Sequence, residues 1–380
     1  MHRTLLNDGW EVRPKLNTFA ELTGGGTEWA SVTLPHDAML GTERDESAGP
    51  ANAYFPGGDW EYRRTITGPE PGGGEAIEVE FEGVYRDAVV RVNDTVAGRR
   101  PYGYSCFTVP IDHLLRPGDN ELRVEAQAHH DSRWYSGAGI HRDVWLLRAG
   151  RINLAPGGLS VRTPEIDDDG AVVTVIAEVR NQSTTSDVST LRVEVINADG
   201  AVVATDAAPV TSFPGDELRV RRRLFVRSPH RWGLDDPYLY KCRASLLTDD
   251  VLQDEDTTTF GIRSLAVDAQ RGLRINGEPV LLRGACVHHD NGPLGAASFG
   301  RAEERRIQLL REAGFNAIRS AHNPLSRGML AACDRLGVLV MDEAFDIWAQ
   351  SKSEDDYSLR FADWWEADIE AMVRNSQNHP

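Results

Sequence analysis

Along the first 150 residues apolar and polar positions alternate in short bursts. Segments 76–84 (AIEVEFEGV) and 87–94 (DAVVRVND) carry a period of two, the mark of half-buried strands with one face on a core. A turn opens 116–126 (RPGDNELRVEA) and leads into another such strand, and 142–149 (RDVWLLRA) closes the region. Short strands divided by Gly-rich turns predict a β-sandwich or jelly roll over 1–150. From 151 to 262 the alternation runs on in AVVTVIAEVRN, STLRVEVINADG and ELRVRRRLFV, with 234–247 (LDDPYLYKCRASLL) as a late strand. Strands and polar turns over about 110 residues predict an immunoglobulin-like sandwich.

At about residue 263 the period changes. VLLRGA (280–285) reads as a short apolar strand, and RAEERRIQLLREAG (301–314) as a helix stopped by Gly314. NAIRSA (316–321) is the next strand and SRGMLAACDRLG (326–337) the next helix. VLVMDE (338–343) is a third strand, and 363–378 a third helix with Trp365, Ile369, Met372 and Val373 on one face. Non-alternating strands between amphipathic helices predict a parallel sheet with crossover helices over 263–380. Three such units cannot close a barrel of eight, which leaves a small open sheet or the beginning of a larger barrel.

Composition narrows the partners. Among 380 residues, 58 Asp and Glu face 41 Lys and Arg, a formal charge of −17, which repels a phosphate backbone. Nucleic acid is therefore not expected, and neutral ligands such as sugars are. The four cysteines, Cys106, Cys242, Cys286 and Cys333, show no paired spacing, against both a zinc ribbon and a disulfide scaffold. No apolar leader opens the chain and no run approaches a membrane span, so a cytoplasmic protein without a membrane partner is expected.

In parallel sheets of this type ligands gather at the C-terminal ends of the strands. The first strand runs into His288, His289 and Asp290. The second ends at Arg319 and leads to His322 and Asn323, and the third ends at Asp342 and Glu343, followed by Asp346 and Trp348. Histidine, arginine, carboxylate and tryptophan on one rim suit a sugar, which needs planar hydrogen-bonding groups and an aromatic face. Blander readings stand beside this one. Arg319 and Glu343 also read as a structural ion pair, Asp290 as a turn cap, the three histidines as a metal site, and Trp348 as packing.

The stretch NAIRSAHNPLSRGMLAACDRLGVLVMDEAFDIW (316–348) resembles the signature region of glycoside hydrolase family 2, the β-galactosidase and β-glucuronidase family. PHDAML (35–40), AYFPGGDWEYRRTI (53–66), SRWYSGAGIHRDVWL (132–146) and FGIRSLAVDAQRGLRINGEPVLLRGACVHHDNGPLG (260–295) resemble other parts of it in the same order. The HNP and DEAFDIW variants resemble the β-galactosidase-like members more closely. The resemblance implies a jelly-roll sugar-binding domain (1–150), an immunoglobulin-like β-sandwich (151–262) and the first three βα units of an incomplete (β/α)8 TIM barrel (263–380). It also implies that His288 and His322 bind substrate hydroxyls, that Arg319 organises the site, and that Asp131 reaches across from the jelly roll. Asn323, Glu343 and Trp348 complete the expected substrate-binding set. Some members bind magnesium just after the third strand. Here AFDIWAQ lacks the matching Glu-x-His, so no cofactor is expected from these residues.

Members of the family are retaining glycosidases with two catalytic glutamates about 5 Å apart. By the resemblance both lie beyond Pro380, so no catalytic residue is expected within the chain, which is expected to be inactive alone. Asp342 and Glu343, neighbours on a strand, point to opposite faces and cannot replace the pair. The expected partner of the full-length parent is a β-galactoside, and homo-oligomerisation of that parent is left open. The alternatives are a β-glucuronidase-type member, a non-catalytic carbohydrate-binding or scaffold protein, and a piece that complements a separate C-terminal half.

Overall fold

The computed structural model describes residues 1–16, 28–70 and 74–380. Its first unit is a sandwich of two antiparallel sheets. One has six strands, in the order Ala30–Val32, Trp10–Pro14, Gly58–Thr67, Asp119–Ala128, Ala88–Val92 and Thr95–Arg100. The other has four, in the order His2–Leu5, Val144–Ala149, Ala76–Phe81 and Phe107–Pro110. Trp10, Tyr62, Ile77, Phe81, Val90 and Leu122 fill the space between them, fully buried. The alternation read in 87–94 survives as buried Ala88, Val90 and Val92 with partly exposed residues between them.

Ala76–Phe81 departs from the half-buried reading, because all six residues are buried. Its carboxylates do not face water. Glu78 accepts from Arg180 of the second unit (3.1 Å), and Glu80 accepts two hydrogen bonds from Arg327 of the third (2.8 Å each). Charged positions on this strand mark a junction between units, each charge paired as burial requires.

The second unit packs the strands Ile152–Ile166, Gly170–Asn181 and Glu217–Arg227 against four others. Those run in the order Val202–Ser212, Asp187–Ile196, Tyr240–Thr248 and Val251–Phe260. Alternate residues such as Val173, Val175, Leu191, Val193, Cys242 and Leu246 are withdrawn completely from solvent, as a two-layer antiparallel sandwich requires.

The third unit opens with a small antiparallel sheet, Leu265–Asp268, Gly272–Ile275 and Glu278–Pro279. Three parallel strands follow: Gly284–Val287, Ala317–Ser320 and Leu339–Met341. The helices Gly300–Glu312, Arg327–Leu336 and Ser358–Ser376 alternate with them. Ile307, Ile318, Met329, Leu330 and Val338 form the core between sheet and helices. Ser326 caps the second helix by accepting from the Met329 amide (3.1 Å), and Gly337 ends it at φ +67°.

Three expectations for this unit need correction. The first parallel strand lies at 284–287 rather than 280–285, because pairing with the neighbour begins at Gly284 opposite Ala317. Leu281, read as a strand interior, is 77% exposed. The third strand is only three residues long, so Asp342 and Glu343 stand beyond its end. The last helix begins at Ser358 rather than 363, and its packed face differs from the one read. Trp365 (45%) and Val373 (48%) are exposed, whereas Phe361 and Trp364 pack on the core of the first unit and Asp368 is buried beside them. Asp368 sets that rotation by accepting from Ser105 (2.7 Å) and Arg100 (2.8 Å) of the first unit.

Candidate active site

Each of the three loops that follow the parallel strands is held by the first unit. On the first loop, the Ala296 amide donates to Asp37 (2.8 Å), whose carboxylate also accepts from Tyr135 (2.6 Å) and the Ala138 amide (3.1 Å). On the second, the buried Arg142 guanidinium donates to the Pro324 carbonyl (2.8 Å) and to Tyr104 O (3.1 Å). On the third, Tyr102 donates to Ala344 O (2.5 Å), Arg86 to Asp355 O (2.5 Å) and Arg133 to Asp346 (2.6 Å). Loops are otherwise the mobile part of such sheets, and these anchors fix where their side chains stand.

The anchored loops bring His288 and His322 side by side, with ring centroids 5.5 Å apart and planes at 90°. Trp134, from the first unit, packs on both, 5.6 Å from His288 and 5.2 Å from His322. Glu343 joins the group from just beyond the third strand. Its carboxylate accepts from Arg319 Nε and lies 3.3 Å from His322 Nδ1, and Arg319 Nη1 lies 3.7 Å from Cys286 Sγ. The ion-pair reading of Arg319 and Glu343 and the rim reading thus hold together, since the pair orients His322.

Asp342 turns the other way, accepting from Ser320 (3.1 Å), the Leu325 amide (3.3 Å) and Ser376 (2.8 Å). As expected of neighbours, the two carboxylates serve different faces.

Asp131 faces the same recess from the first unit. It is buried, accepting from the Tyr85 hydroxyl (3.0 Å) and the His129 amide (3.0 Å), with Arg86 3.8 Å away. Burial pushes its carboxyl pKa up against the opposing pull of Arg86. Together with Tyr85, Trp134, His322, Phe345 and Tyr357 it lines a narrow recess. Asn323 is buried beside His322, and its Nδ2 has no hydrogen-bond partner among the described residues. Burial, followed by the neighbouring His322, lowers the His288 pKa, which favours a neutral imidazole able both to donate and to accept.

Three of the sequence-derived candidates stand apart. His289 is buried and turned away, its Nε2 donating to Ser136 O (2.9 Å), and burial pushes its pKa down to about 4. The three histidines therefore do not converge, and among the described residues no group of three His, Cys, Asp or Glu side chains could hold a metal ion. Asp290 contributes its carbonyl to Arg306, and its carboxylate takes no hydrogen bond among the described residues. Trp348 is 66% exposed and lies parallel to Phe361 with centroids 6.5 Å apart, so it is not the aromatic wall of the recess. Trp134 is that wall. It sits inside the SRWYSGAGI stretch, but nothing in its spacing distinguishes it from the core tryptophans nearby.

The strand-end rim of histidines, arginine and glutamate is thus walled by a tryptophan and roofed by the β-sandwich of the first unit. The family model for glycosyl hydrolases family 2 matches residues 159–263, and that for the TIM barrel domain of the same family matches 266–380. The chain belongs to glycosyl hydrolase family 2. It is 37% identical to the β-galactosidase BoGH2A of Bacteroides ovatus over 93% of its own length and 42% of that protein. To a β-glucuronidase of Bacteroides fragilis it is 27% identical over 99% of its length and 54% of that protein. A crystal structure of a family 2 member from Bacteroides cellulosilyticus superposes with a TM-score of 0.95 at 34% identity, over all of this chain and 50% of that one. The chain therefore spans about half or less of the length of these relatives.

Proposed function

We propose that the whole protein hydrolyses terminal β-galactosides with retention, and that this chain supplies the wall of the site that binds and orients the sugar. In this reading 1–150, 151–262 and 263–380 are its jelly roll, its immunoglobulin-like sandwich and the first three units of its barrel. The juxtaposition of His288, His322 and Trp134 opposite Asp131 carries the reading. Two imidazoles and a carboxyl address hydroxyls, while an indole meets the apolar face of a ring. The buried, unpaired Asn323 amide fits a site completed by a ligand.

A neutral galactoside fits better than a glucuronide. Arg86, which lines the recess, is engaged by Asp87 (3.0 Å), and Arg319 is engaged by Glu343. Neither guanidinium is left to take the carboxylate of a uronic acid. The similarity to a β-glucuronidase keeps that substrate as the second reading.

Retention needs two carboxyl groups flanking the scissile bond. Glu343, the carboxylate beside His322, is tied to Arg319 and has no such partner in Asp342. The purified 380-residue chain should therefore leave p-nitrophenyl β-galactoside intact. The same protein extended through its downstream coding sequence should cleave it, with p-nitrophenyl β-glucuronide the poorer substrate. Hydrolysis by the 380-residue chain that disappears in Glu343→Gln would overturn this division of labour. Preferential cleavage of the glucuronide by the extended protein would establish the second reading.

A further inference from the structure

Beside the recess, on the outer face of the six-stranded sheet, runs a second and larger opening. It is a groove of ≈ 360 Å³ between that sheet and the helix Ser358–Ser376. Its floor comes from the strands Ala88–Val92, Thr95–Arg100 and Asp119–Ala128, and its far wall from Arg360, Asp363 and Trp364. The sugar recess does not account for these residues, and the groove exists only because the helix packs across the sheet.

The lining has a distinct chemistry. Arg99 offers a planar guanidinium donor and Asp363 a carboxylate acceptor, beside Arg360 and Gln127 held on Asp87, with the half-buried Trp364 as the aromatic surface. The side chains of Arg99 and Asp363, both exposed, take no hydrogen bond or ion pair among the described residues. Alternating donors and acceptors beside an indole match the hydroxyls and ring faces of a saccharide. Carboxylates mixed through the lining repel a polyanion.

The groove adjoins the recess. Pro101 lines both. Asp87, on the groove side, accepts from Arg360 (3.1 Å), Gln127 (3.0 Å) and Arg86 (3.0 Å), and Arg86 lines the recess, 3.8 Å from Asp131. A single hydrogen-bonded chain of side chains thus runs from one opening into the other.

We propose that this groove is a second saccharide subsite, which holds the further residues of a β-linked oligosaccharide whose terminal galactosyl unit occupies the recess. The inference rests on the galactoside reading of the recess and extends it from a terminal sugar to an oligosaccharide substrate. Trp364 and Gln127 contact the distal rings, and Arg99 and Asp363 hydrogen-bond their hydroxyls.

The test is calorimetric titration of the 380-residue chain with D-galactose and with β-1,4-galactotetraose. The tetraose should bind about tenfold tighter than galactose, and Arg99→Ala and Gln127→Ala should each reduce that advantage while leaving galactose affinity unchanged. The Arg99 side chain makes no hydrogen bond or ion pair among the described residues, so its variant should fold as the parent does. A tetraose that binds no tighter than galactose, or an advantage that survives both substitutions, overturns the groove. His322→Ala separates the two claims, since it should remove galactose binding and leave residual tetraose binding that remains sensitive to Arg99→Ala. If galactose fails to bind the parent chain, the recess reading fails. The groove is then judged by the tetraose alone, supported by a loss in Arg99→Ala and refuted without one.

Discussion

Replacing Glu80 by glutamine probes the joint that places the third unit against the first. The side chain is almost fully buried and receives Arg327 through both guanidinium nitrogens (2.8 Å each), with Arg3 as a further partner. Burial raises its pKa, but Arg327 and Arg3 outweigh that effect and draw the carboxyl down to about 2, from 4.5. A folded-state pKa below the unfolded value means stabilisation that is complete above about pH 4.5 and lost as pH falls through about 2. At 1.36 kcal/mol per unit the depression corresponds to about 3 kcal/mol at neutral pH, falling to about 1.4 kcal/mol near pH 3. Breaking a buried pair costs about 3–5 kcal/mol. The guanidinium side chains of Arg3 and Arg327 are a third exposed (33% and 32%), and water screens the charges the variant leaves behind. The expected loss is therefore nearer 2 kcal/mol at pH 7. Urea unfolding of parent and Glu80→Gln chains, followed by tryptophan fluorescence at pH 7, 5 and 3, measures it. Three units need not unfold as one, so the shift should be read on the transition that involves the third unit. A difference that stays the same from pH 7 to pH 3, or is below about 0.5 kcal/mol at pH 7, would refute the ion pair as its source.

Three further outcomes are expected. Glu343→Gln should weaken galactose binding about tenfold, by loosening His322, while thermal stability changes by less than about 1 kcal/mol because the pair is partly exposed. His289 is held neutral well below the ordinary histidine value, so folding stability should fall as pH drops from about 6.5 towards 4. His289→Asn should flatten that slope in a denaturation series, and an unchanged slope would assign it to other groups. Gly337→Ala forces a Cβ into a φ of +67° and to 2.1 Å from the Leu234 carbonyl, and should lower stability by about 2 kcal/mol or more in thermal unfolding.

Much of this architecture was legible because local signals and tertiary demands agree. The change from a period of two to strand–helix alternation near 263 marks a real change of architecture, and Ser326, Gly337 and Gly314 bracket helices as their chemistry requires. The failures came where a second unit supplied the burial. Glu78 and Glu80 occupy positions that ordinarily face water, and only the arginines of other units show why they do not. The last helix was read from its apolar residues, yet a buried carboxylate, Asp368, sets which face packs. Leu281 and Leu282 look like a strand interior, and nothing local shows that pairing starts at Gly284.

The site divides in the same way. His288, Arg319, His322 and Glu343 could be placed on one rim from strand ends alone, because topology gathers those ends. Asp131 and Trp134 come from a unit more than 150 residues away in sequence, and no periodicity connects them to the rim. Trp348, chosen for its aromatic ring beside the rim, shows that sequence proximity to a strand end does not bring a side chain into the recess.

The central claim is that the three anchored loops and the first unit form one sugar-binding recess within this chain. Titrating D-galactose and D-glucuronate into the parent, His322→Ala and Asp131→Asn chains, with tryptophan fluorescence reporting on the recess wall, tests it most directly. Saturable galactose binding, weaker glucuronate binding, and a loss of at least about tenfold in both variants at unchanged fold are expected. Galactose binding that is absent from the parent chain, or indifferent to both substitutions, would contradict it.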